Sequence, residues 1–360
     1  MAVEAGADGA AAAAVAVAAL THDEATVYDR QLRVWGVEVQ KKLTAARVLI
    51  AGFGKLAAEV AKNITLAGVG SVTLLDDAPA SDHEGSSFLI TSPAPEGLSC
   101  AEAAAKTLQA MNPLVRVSSA PGAPEARLLD APFLAAFDLV VCTGPAVSPA
   151  ATRAAGAACA AAGVKFMAAA VRGAASYYFI DLGAHTYKPK ADAGGEGGGG
   201  SGLEEVTVSY ARLGDALATP LGLLPPNCHP LVPVLIACAA LEDELGRALA
   251  PADAPAAAAK LQQLSAAAAP WAGPAAERLL SWVAAGGSEF APVAAVTGGV
   301  IGNDVIRAVS HSDAPINNLF LYTLSDRPLV QTLPPPGAAG GGGGGGAAAQ
   351  WQAAAELIDD

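Results

Sequence analysis

The chain has few charged side chains (15%) and few aromatic ones (5%), and basic residues are its scarcer charged group. Its 21 lysines and arginines stand against 34 acidic residues, which gives a formal net charge of −13 at pH 7. Without a basic stripe to neutralise phosphates, we expect neither nucleic acid nor an anionic membrane surface as a partner. Much of the hydrophobic content is alanine, which predicts a smaller core than that content suggests.

Cysteine pairs are missing as well. The chain has five cysteines, an odd number, and no two of them form a CxxC pair (Cys100, Cys142, Cys159, Cys228, Cys238). This spacing indicates neither a zinc site nor a disulfide framework, so we predict a reduced, intracellular protein with no metal site. The histidines are scattered along the sequence and form no metal-binding pattern.

No long apolar run is free of Pro, Gly or charges, so no transmembrane span is predicted. The opening MAVEAGADGAAAAAVAVAAL carries Glu4 and Asp8 but no early Lys or Arg, the wrong charge for a signal peptide. We therefore predict a low-complexity tail over residues 1–24 and a Gly/Ala-rich tail over residues 333–360. A single α/β domain is expected over residues 25–332, with a flexible insertion at 190–203 and an Ala/Pro-rich helical insertion at about 250–290.

Strand-like and helix-like segments alternate along this domain. This alternation predicts a doubly wound, mostly parallel sheet, with later strands that are antiparallel and flank a helix from Pro292 to Ser310. The predicted strands, in order, are RVLIAG, SVTLLD, VRVSSA, FDLVVCTG and VKFMAAAV, followed by SYYFIDL and NLFLYTL.

The stretch GFGKLA, Gly52 to Ala57, follows the first strand and opens a helix, as a dinucleotide-binding loop does. Gly52 would permit the turn, Gly54 would permit close backbone approach, and the helix N-terminus would attract an anion. Asp76 ends the next strand, where an acid that binds a ribose would lie. A nicotinamide or flavin enzyme is one interpretation, and a tight turn needed only for helix–strand packing is the other.

A cationic helix precedes this fold, in the stretch TVYDRQLRVWG. We take Thr26 as its N-cap, with Asp29 three residues on. Its apolar positions share one face (Tyr28, Leu32, Trp35, Val39, Leu43), and Arg30 and Arg33 lie on another. By spacing alone, this is a surface helix with two solvated arginines.

Several motifs resemble the activating enzymes of ubiquitin-like modifiers, and in particular the small subunits of the heterodimers that activate SUMO. The resemblance covers about Tyr28 to Leu324, apart from the two insertions. It is carried by YDRQLRVWG, RVLIAGFGKLAAEVAKNITLAGVGSVTLLD, MNPLVRV, FDLVVCTG, GVKFMAAAVRGAASYYFIDLGAH and APVAAVTGGVIGNDVIRAVSHSDAPINNLFLYTL. The opening string is specific to eukaryotic activating enzymes.

The resemblance implies a Rossmann-like adenylation fold whose members adenylate the C-terminal glycine of a small modifier with Mg·ATP. Two copies pair, and each active site takes an arginine from the opening helix of the opposite copy. On this basis Arg30 acts in trans at the ATP site of a large catalytic subunit, where a guanidinium offsets charge on the triphosphate. The expected partners are that subunit and SUMO, and the implied location is the nucleus.

Departures from the motifs of active copies imply that this half has lost its own chemistry. After the second strand, active copies carry a string with an asparagine and an arginine that ends in NRQF. Here Ser86 and Ser87 precede Phe88, and neither the arginine nor the asparagine is present. Thr143-Gly144-Pro145 offers no magnesium-binding aspartate after the fourth strand. The loop with Gly52, Gly54 and Asp76 is then vestigial, and no cofactor is expected in this chain, with ATP and Mg bound by the partner. Lys55 and Ala57 are further departures.

Three other assignments stay open: a small subunit serving the modifier NEDD8, a self-sufficient modifier adenylyltransferase, and a nicotinamide-dependent oxidoreductase. Cys228 beside His229 is a thiol–imidazole pair, but adjacent side chains rarely face each other, and we favour a structural helix start there.

We expect two helices to face the partner, the opening helix and the APVAAVTGGVIGNDVI helix, with Gly298 and Gly299 permitting close approach. The alternative for these glycines is packing against this chain's own elements. The run Glu242-Asp243-Glu244 is expected to be a solvated helix face.

Overall fold

A computed structural model describes residues 21–144, 146–188, 204–224, 228–265 and 272–333. Its centre is an eight-stranded sheet in the order β10-β9-β6-β5-β4-β1-β2-β3. The strands are β1 (Arg47–Ala51), β2 (Ser71–Leu75), β3 (Arg116–Ser119), β4 (Leu139–Thr143), β5 (Lys165–Arg172), β6 (Ala175–Asp181), β9 (Leu319–Thr323) and β10 (Leu329–Gln331); β7 (Ala184–Tyr187) and β8 (Val206–Ser209) form a separate hairpin.

The first five strands are mutually parallel, and β6, β9 and β10 join the sheet antiparallel. Strands β1 and β4 are buried over almost their whole length, because helices cover both faces of the sheet. The prediction of a doubly wound, mostly parallel sheet with antiparallel later strands is confirmed.

The helices are α1 (His22–Val27), α2 (Asp29–Ala45), α3 (Lys55–Ala67), α4 (Cys100–Met111), α5 (Pro124–Arg127), α6 (Ala131–Leu134), α7 (Pro149–Ala161), α8 (Leu213–Leu217), α9 (Leu231–Leu245), α10 (Ala254–Ser265), α11 (Ala272–Ala284) and α12 (Ala291–Ser310). One core lies between the sheet and helices α2, α3, α4 and α12. The second lies on the opposite face, beneath α7, α9, α10 and α11. No helix in the described ranges is both long enough and apolar enough to cross a bilayer.

The Ala/Pro-rich segment predicted to be helical contains α10 and α11, and both helices pack in the second core. Leu261 of α10 and both Leu279 and Trp282 of α11 are buried in the second core. They lie against α9, a helix that is apolar almost all round and is therefore covered on most sides.

The prediction of a solvated acidic face on α9 is wrong for Glu242, which is only 3% exposed. Its carboxylate accepts a hydrogen bond from the backbone of Leu249 at 3.4 Å and lies 3.8 Å from the guanidinium of Arg153. Burial raises the pKa of Glu242. Asp243 is more exposed and also pairs with Arg153.

Helix α1 already includes His22 to Glu24, residues that were predicted to belong to the N-terminal tail. Its N-cap is Thr21, whose side chain and that of Glu24 form a reciprocal capping box. Thr26 lies inside α1, so its assignment as the N-cap of the opening helix is wrong. Residues 1–20 and 334–360 of the predicted tails and the whole predicted insertion at 190–203 lie outside the described residues.

Candidate functional site

The glycine loop connects β1 to α3, as predicted, and Gly52 is required at its turn. Its φ is +81°, and a Cβ there would overlap the carbonyl oxygen of Thr143. The Gly52 amide donates to the carbonyl of Leu75 at 3.0 Å, and the Thr143 hydroxyl donates to the Gly52 carbonyl at 2.8 Å. The loop is therefore held between the ends of β1, β2 and β4.

Gly54 is the N-cap of α3, and a helix N-terminus attracts an anion. Here the anion is the chain's own Glu289, whose Oε2 accepts from the backbone amides of Lys55 and, at 3.2 Å, Leu56. A Cβ at Gly54 would overlap this carboxylate, so the glycine leaves space that Glu289 fills. Because of burial, the pKa of Glu289 is raised, although the two amides and Lys55 oppose that shift. Glu289 was not among the predicted site residues.

Asp76 ends β2 as predicted, and its carboxylate fastens the loop. Its Oδ2 accepts from the Phe53 amide at 2.8 Å, and its Oδ1 accepts from the Ala78 amide at 3.0 Å. The residue is 2% exposed, and burial raises its pKa. Asp76, Phe53 and Ala78 also line a small cavity together with His83. The three predicted residues Gly52, Gly54 and Asp76 therefore form one structural unit at the carboxyl edge of the sheet.

The segment after β2 carries Ser86 and Ser87, where the resemblance implied an asparagine and an arginine in an active copy. The hydroxyls of Ser86 and Ser87 are buried with no hydrogen-bond partner in the described chain, and Phe88 is 46% exposed. After β4 the chain continues through Gly144, and Pro145 lies outside the described residues. Within the described ranges, no three His, Cys, Asp or Glu side chains come together as a metal-binding group.

The opening helix is anchored by motifs that are distant in sequence. Tyr28 is 1% exposed, and its hydroxyl accepts a hydrogen bond from the side-chain amide of Asn112 at 3.0 Å. The same amide donates to the carbonyl of Thr65, in the last turn of α3, at 2.9 Å. The YDRQ and MNP motifs thus contact each other through Tyr28 and Asn112, a link that the sequence did not reveal.

Farther along α2, the indole of Trp35 donates to the Gln40 side chain at 3.1 Å, and Gln40 donates to the carbonyl of Ala67 at 3.1 Å. The helix is kinked at Gly36, whose φ is +83°. The predicted apolar face lies inward, from Tyr28 to the fully buried Leu43.

Arg30 and Arg33 lie on the exposed side of α2, as predicted. Arg33 forms an ion pair with Asp29 at 2.9 Å, and both side chains are more than half exposed. Arg30 is exposed and makes no hydrogen bond or ion pair with the part of the chain that the structure describes. The second arginine of the motif is therefore engaged within its own helix, whereas Arg30 projects from an anchored helix and can serve a group outside this chain.

Gly298 and Gly299 of α12 face in different directions, although they were predicted to face the partner together. A Cβ at Gly298 would lie 2.6 Å from the Cβ of Glu59, and one at Gly302 would lie 2.9 Å from the Cβ of Asn63. Both of those neighbours are on α3, so the prediction that Gly298 faces a partner is wrong. A Cβ at Gly299 would have nothing within 4 Å and lies on the exposed side.

The five cysteines are all free and buried. Cys228 is 4% exposed, and burial raises its pKa to about 12, so almost no thiolate is present at neutral pH. His229 does not activate it: its Nδ1 accepts from the Leu231 amide at 3.1 Å, and its Nε2 faces the carboxylate of Asp326 at 3.4 Å. This geometry favours the interpretation of a structural helix start.

Two histidines that are isolated in sequence stack on each other. The rings of His185 on β7 and His311 after α12 have centroids 4.9 Å apart. His311 donates from Nδ1 to the carbonyl of Thr186 at 2.7 Å, and His185 donates from Nε2 to that of Asp313 at 3.3 Å. Burial, aided by charges on His311 and Lys165, lowers the pKa of His185 to about 4. The stack holds the β7–β8 hairpin against the end of α12.

This stack predicts acid sensitivity. The pKa of His185 in the folded chain is about 4, below its ordinary value of about 6.5. Between these two pH values, the imidazole takes up a proton in the unfolded chain but not in the folded one. The free energy of unfolding therefore falls as pH drops below about 6.5. We expect the free energy of unfolding to fall by about 2 kcal/mol between pH 7 and pH 5 from this group alone. Urea unfolding across that range measures it. His185→Phe should flatten the slope and His83→Gln should not; equal slopes in all three proteins would contradict the assignment.

A mostly parallel sheet, a glycine loop at its first crossover helix and an extra helix before its first strand define an adenylation-type α/β domain. Two further features are particular to this domain: the exposed Arg30, and a glycine loop whose helix N-terminus is occupied by Glu289. The chain belongs to the ThiF family, which it matches over residues 28–336.

Named relatives are similar along nearly their whole length. The chain is 32% identical over 324 residues to SUMO-activating enzyme subunit 1A of Arabidopsis thaliana, covering 85% of this chain and 94% of that one. It is 31% identical over 330 residues to SUMO-activating enzyme subunit 1 of Xenopus laevis, with the same coverage.

Among solved structures, the fold is similar to that of PaaA, with a TM-score of 0.52, 14% identity and coverage of 88% of this chain and 75% of that one. It is also similar to E. coli MccB with succinimide, with a TM-score of 0.50, 14% identity and coverage of 86% and 72%. These structures share the adenylation fold.

Proposed function

We propose that this chain is the small, non-catalytic subunit of a heterodimer that activates SUMO, and that it lends Arg30 to the ATP site of the large subunit. The names of its relatives support the class of enzyme and the modifier. In this proposal the large subunit binds ATP and Mg and adenylates the C-terminal glycine of SUMO, the first step of sumoylation. Nuclear localisation belongs to the same proposal.

The observation that carries the proposal is the arrangement of Arg30. Its helix is held on α3 through Tyr28 and Asn112, so the backbone that bears it is fixed. The guanidinium itself is exposed, and no acid or carbonyl in the described chain engages it. A fixed backbone with an uncommitted cation suits a group that must meet a triphosphate on another subunit and offset its charge in the transition state.

Glu289 supports the view that this subunit does not run a second adenylation site. A carboxylate already accepts the amides at the N-terminus of α3, which is where a helix would otherwise stabilise a phosphate. A phosphate there would meet that negative charge at close range. Ser86 and Ser87, in place of the expected asparagine and arginine, also support the absence of a second adenylation site in this subunit.

A docking surface for the large subunit is available beside Arg30. Val27, Val34 and Val37 on the opening helices are 60%, 69% and 47% exposed, so this segment presents three apolar side chains to a partner. On α12, Val296 is 40% exposed next to the open position at Gly299. We assign both surfaces to the interface with the large subunit.

Reconstitution tests the proposal. SUMO-dependent exchange between pyrophosphate and ATP should be strong when the large subunit and this chain are mixed, and absent for this chain alone. If the mixture adenylates SUMO no better than the large subunit by itself, the subunit role is wrong. Exchange by the isolated chain would instead establish a self-sufficient adenylyltransferase, and preferential activity with NEDD8 would reassign the modifier.

A further inference from the structure

A cavity of about 310 Å³ lies on the other side of the sheet from the opening helix and Arg30, and it adjoins the glycine loop through Ala146 and Val147. It opens beyond the carboxyl ends of β4 and β5. Its walls come from β5, α7, α9, α11 and the start of β6, and Ala146 and Gly287 also line it. This volume is at the small end of the range for ligand sites.

Its lining is mainly apolar, with two aromatic side chains. The rings of Tyr177 and Trp282 have centroids 5.9 Å apart and are tilted by 47°. Leu235 and Cys238 of α9 also face the cavity. Burial raises the pKa of Tyr177 to about 12, so its hydroxyl stays protonated and can donate a hydrogen bond at neutral pH.

Four charged side chains line this space, and three of them are already engaged. Arg153 pairs with Glu242 at 3.8 Å and with Asp243. Glu242 also accepts from the Leu249 amide, and Glu125 accepts from the Ser148 amide at 3.1 Å. The positive charge of Arg153 is thus neutralised by its own carboxylates.

Arg172 is the fourth, and it is not engaged in this way. Its Nη1 is buried and has no hydrogen-bond partner in the described part of the chain. Its guanidinium lies 5.3 Å from the ring centroid of Trp282. Although its charge lowers the pKa of Glu242, the two do not form an ion pair. Leaving a buried guanidinium N–H without a hydrogen-bond partner is costly. A guanidinium recognises the paired oxygens of a carboxylate or phosphate.

We propose that this cavity is a binding site for a small ligand that carries one oxyanion, a carboxylate or a phosphate, on a flat apolar body. Arg172 binds the oxyanion, the Tyr177 hydroxyl adds a second donor, and the apolar body packs against Trp282 and Leu235. The site is independent of Arg30, so it does not depend on the function proposed above.

The test uses the full chain and three probes of one shape: 2-naphthoate, 2-naphthyl phosphate and the uncharged 2-naphthylmethanol. Calorimetric titration should show binding of at least one oxyanion probe and weak or no binding of the alcohol. Arg172→Gln should weaken oxyanion binding at least about tenfold, as expected for loss of a charge-assisted hydrogen bond. The matched control Arg116→Gln, on the exposed edge strand β3, should bind as the unmodified chain does.

The two oxyanion probes distinguish a carboxylate ligand from a phosphate ligand. Arg172→Lys keeps the charge and removes the planar fork, so it should bind at an intermediate strength and serves as the readout if Arg172→Gln fails to fold. Equal binding of naphthoate, naphthyl phosphate and the alcohol would overturn the proposal. So would unaltered oxyanion binding by folded Arg172→Gln, or no saturable binding of either oxyanion probe.

Discussion

Replacement of Arg30 by alanine is expected to lower the rate of SUMO-dependent pyrophosphate exchange by the heterodimer at least about 10²-fold, without loss of the complex. Arginines supplied in trans to a triphosphate are worth roughly 10³–10⁵ in rate in GTPases, and a single preorganised donor to a transition state is worth roughly 10²–10³. The fold should be unaffected, because the side chain is exposed and makes no hydrogen bond or ion pair in the described chain.

The matched control for this experiment lies one helical turn away. Arg33 is on the same helix and is also exposed, but it pairs with Asp29. Such a surface pair contributes only about 0–1 kcal/mol, so Arg33→Ala should leave both the fold and the exchange rate nearly unchanged. Equal rates for Arg30→Ala, Arg33→Ala and the unmodified heterodimer would mean that the helix is scaffold only. A loss in Arg30→Ala that disappears when complex formation is restored at high subunit concentration would assign Arg30 to docking.

The architecture could be predicted because its signals are local. Strands β1 and β4 are short apolar runs that must be covered on both faces, and each is followed by a helix. Gly52 and Asp76 were identified for a related reason: a turn with positive φ needs glycine, and an acid at the end of β2 lies beside it. These requirements can be seen within a few residues of sequence.

Glu289 could not be predicted in the same way. It lies 234 residues beyond Lys55, in a loop without a recognisable motif, and only the complete fold brings it to the start of α3. The stack of His185 and His311 is hidden for the same reason. Glu242 shows the opposite error. A local run of acids suggested a solvated face, whereas the Leu249 amide and Arg153 of α7 contact the buried Glu242 carboxylate.

Gly298 and Gly299 show the limit of sequence patterns most clearly. Both are adjacent small residues on one helix, and spacing alone cannot decide which one meets a neighbour. In the structure, α12 packs on α3 through Gly298 and Gly302, and Gly299 faces away. The direction of each residue depends on the placement of α3, which is a tertiary property.

This difference gives a second prediction, with opposite effects at neighbouring positions. Gly298→Ala should lower the free energy of unfolding by about 1–3 kcal/mol, because its Cβ would press on Glu59 of α3. Gly299→Ala should raise it by up to about 1 kcal/mol, because alanine is the better helix former and its Cβ meets open space. Thermal or urea unfolding of the isolated chain measures both.

A bulkier side chain at Gly299 tests whether this side of α12 contacts the large subunit. Gly299→Leu should leave this chain folded and abolish its capture by the large subunit, because the added side chain projects from the exposed surface assigned to the interface. Asn303→Leu, at another exposed position one turn along α12, tests how far that surface extends. If Gly299→Leu is captured as well as the unmodified chain, α12 does not face the large subunit, and the interface is confined to the opening helices. If capture is lost only when folding is lost, Gly299 acts within this chain after all.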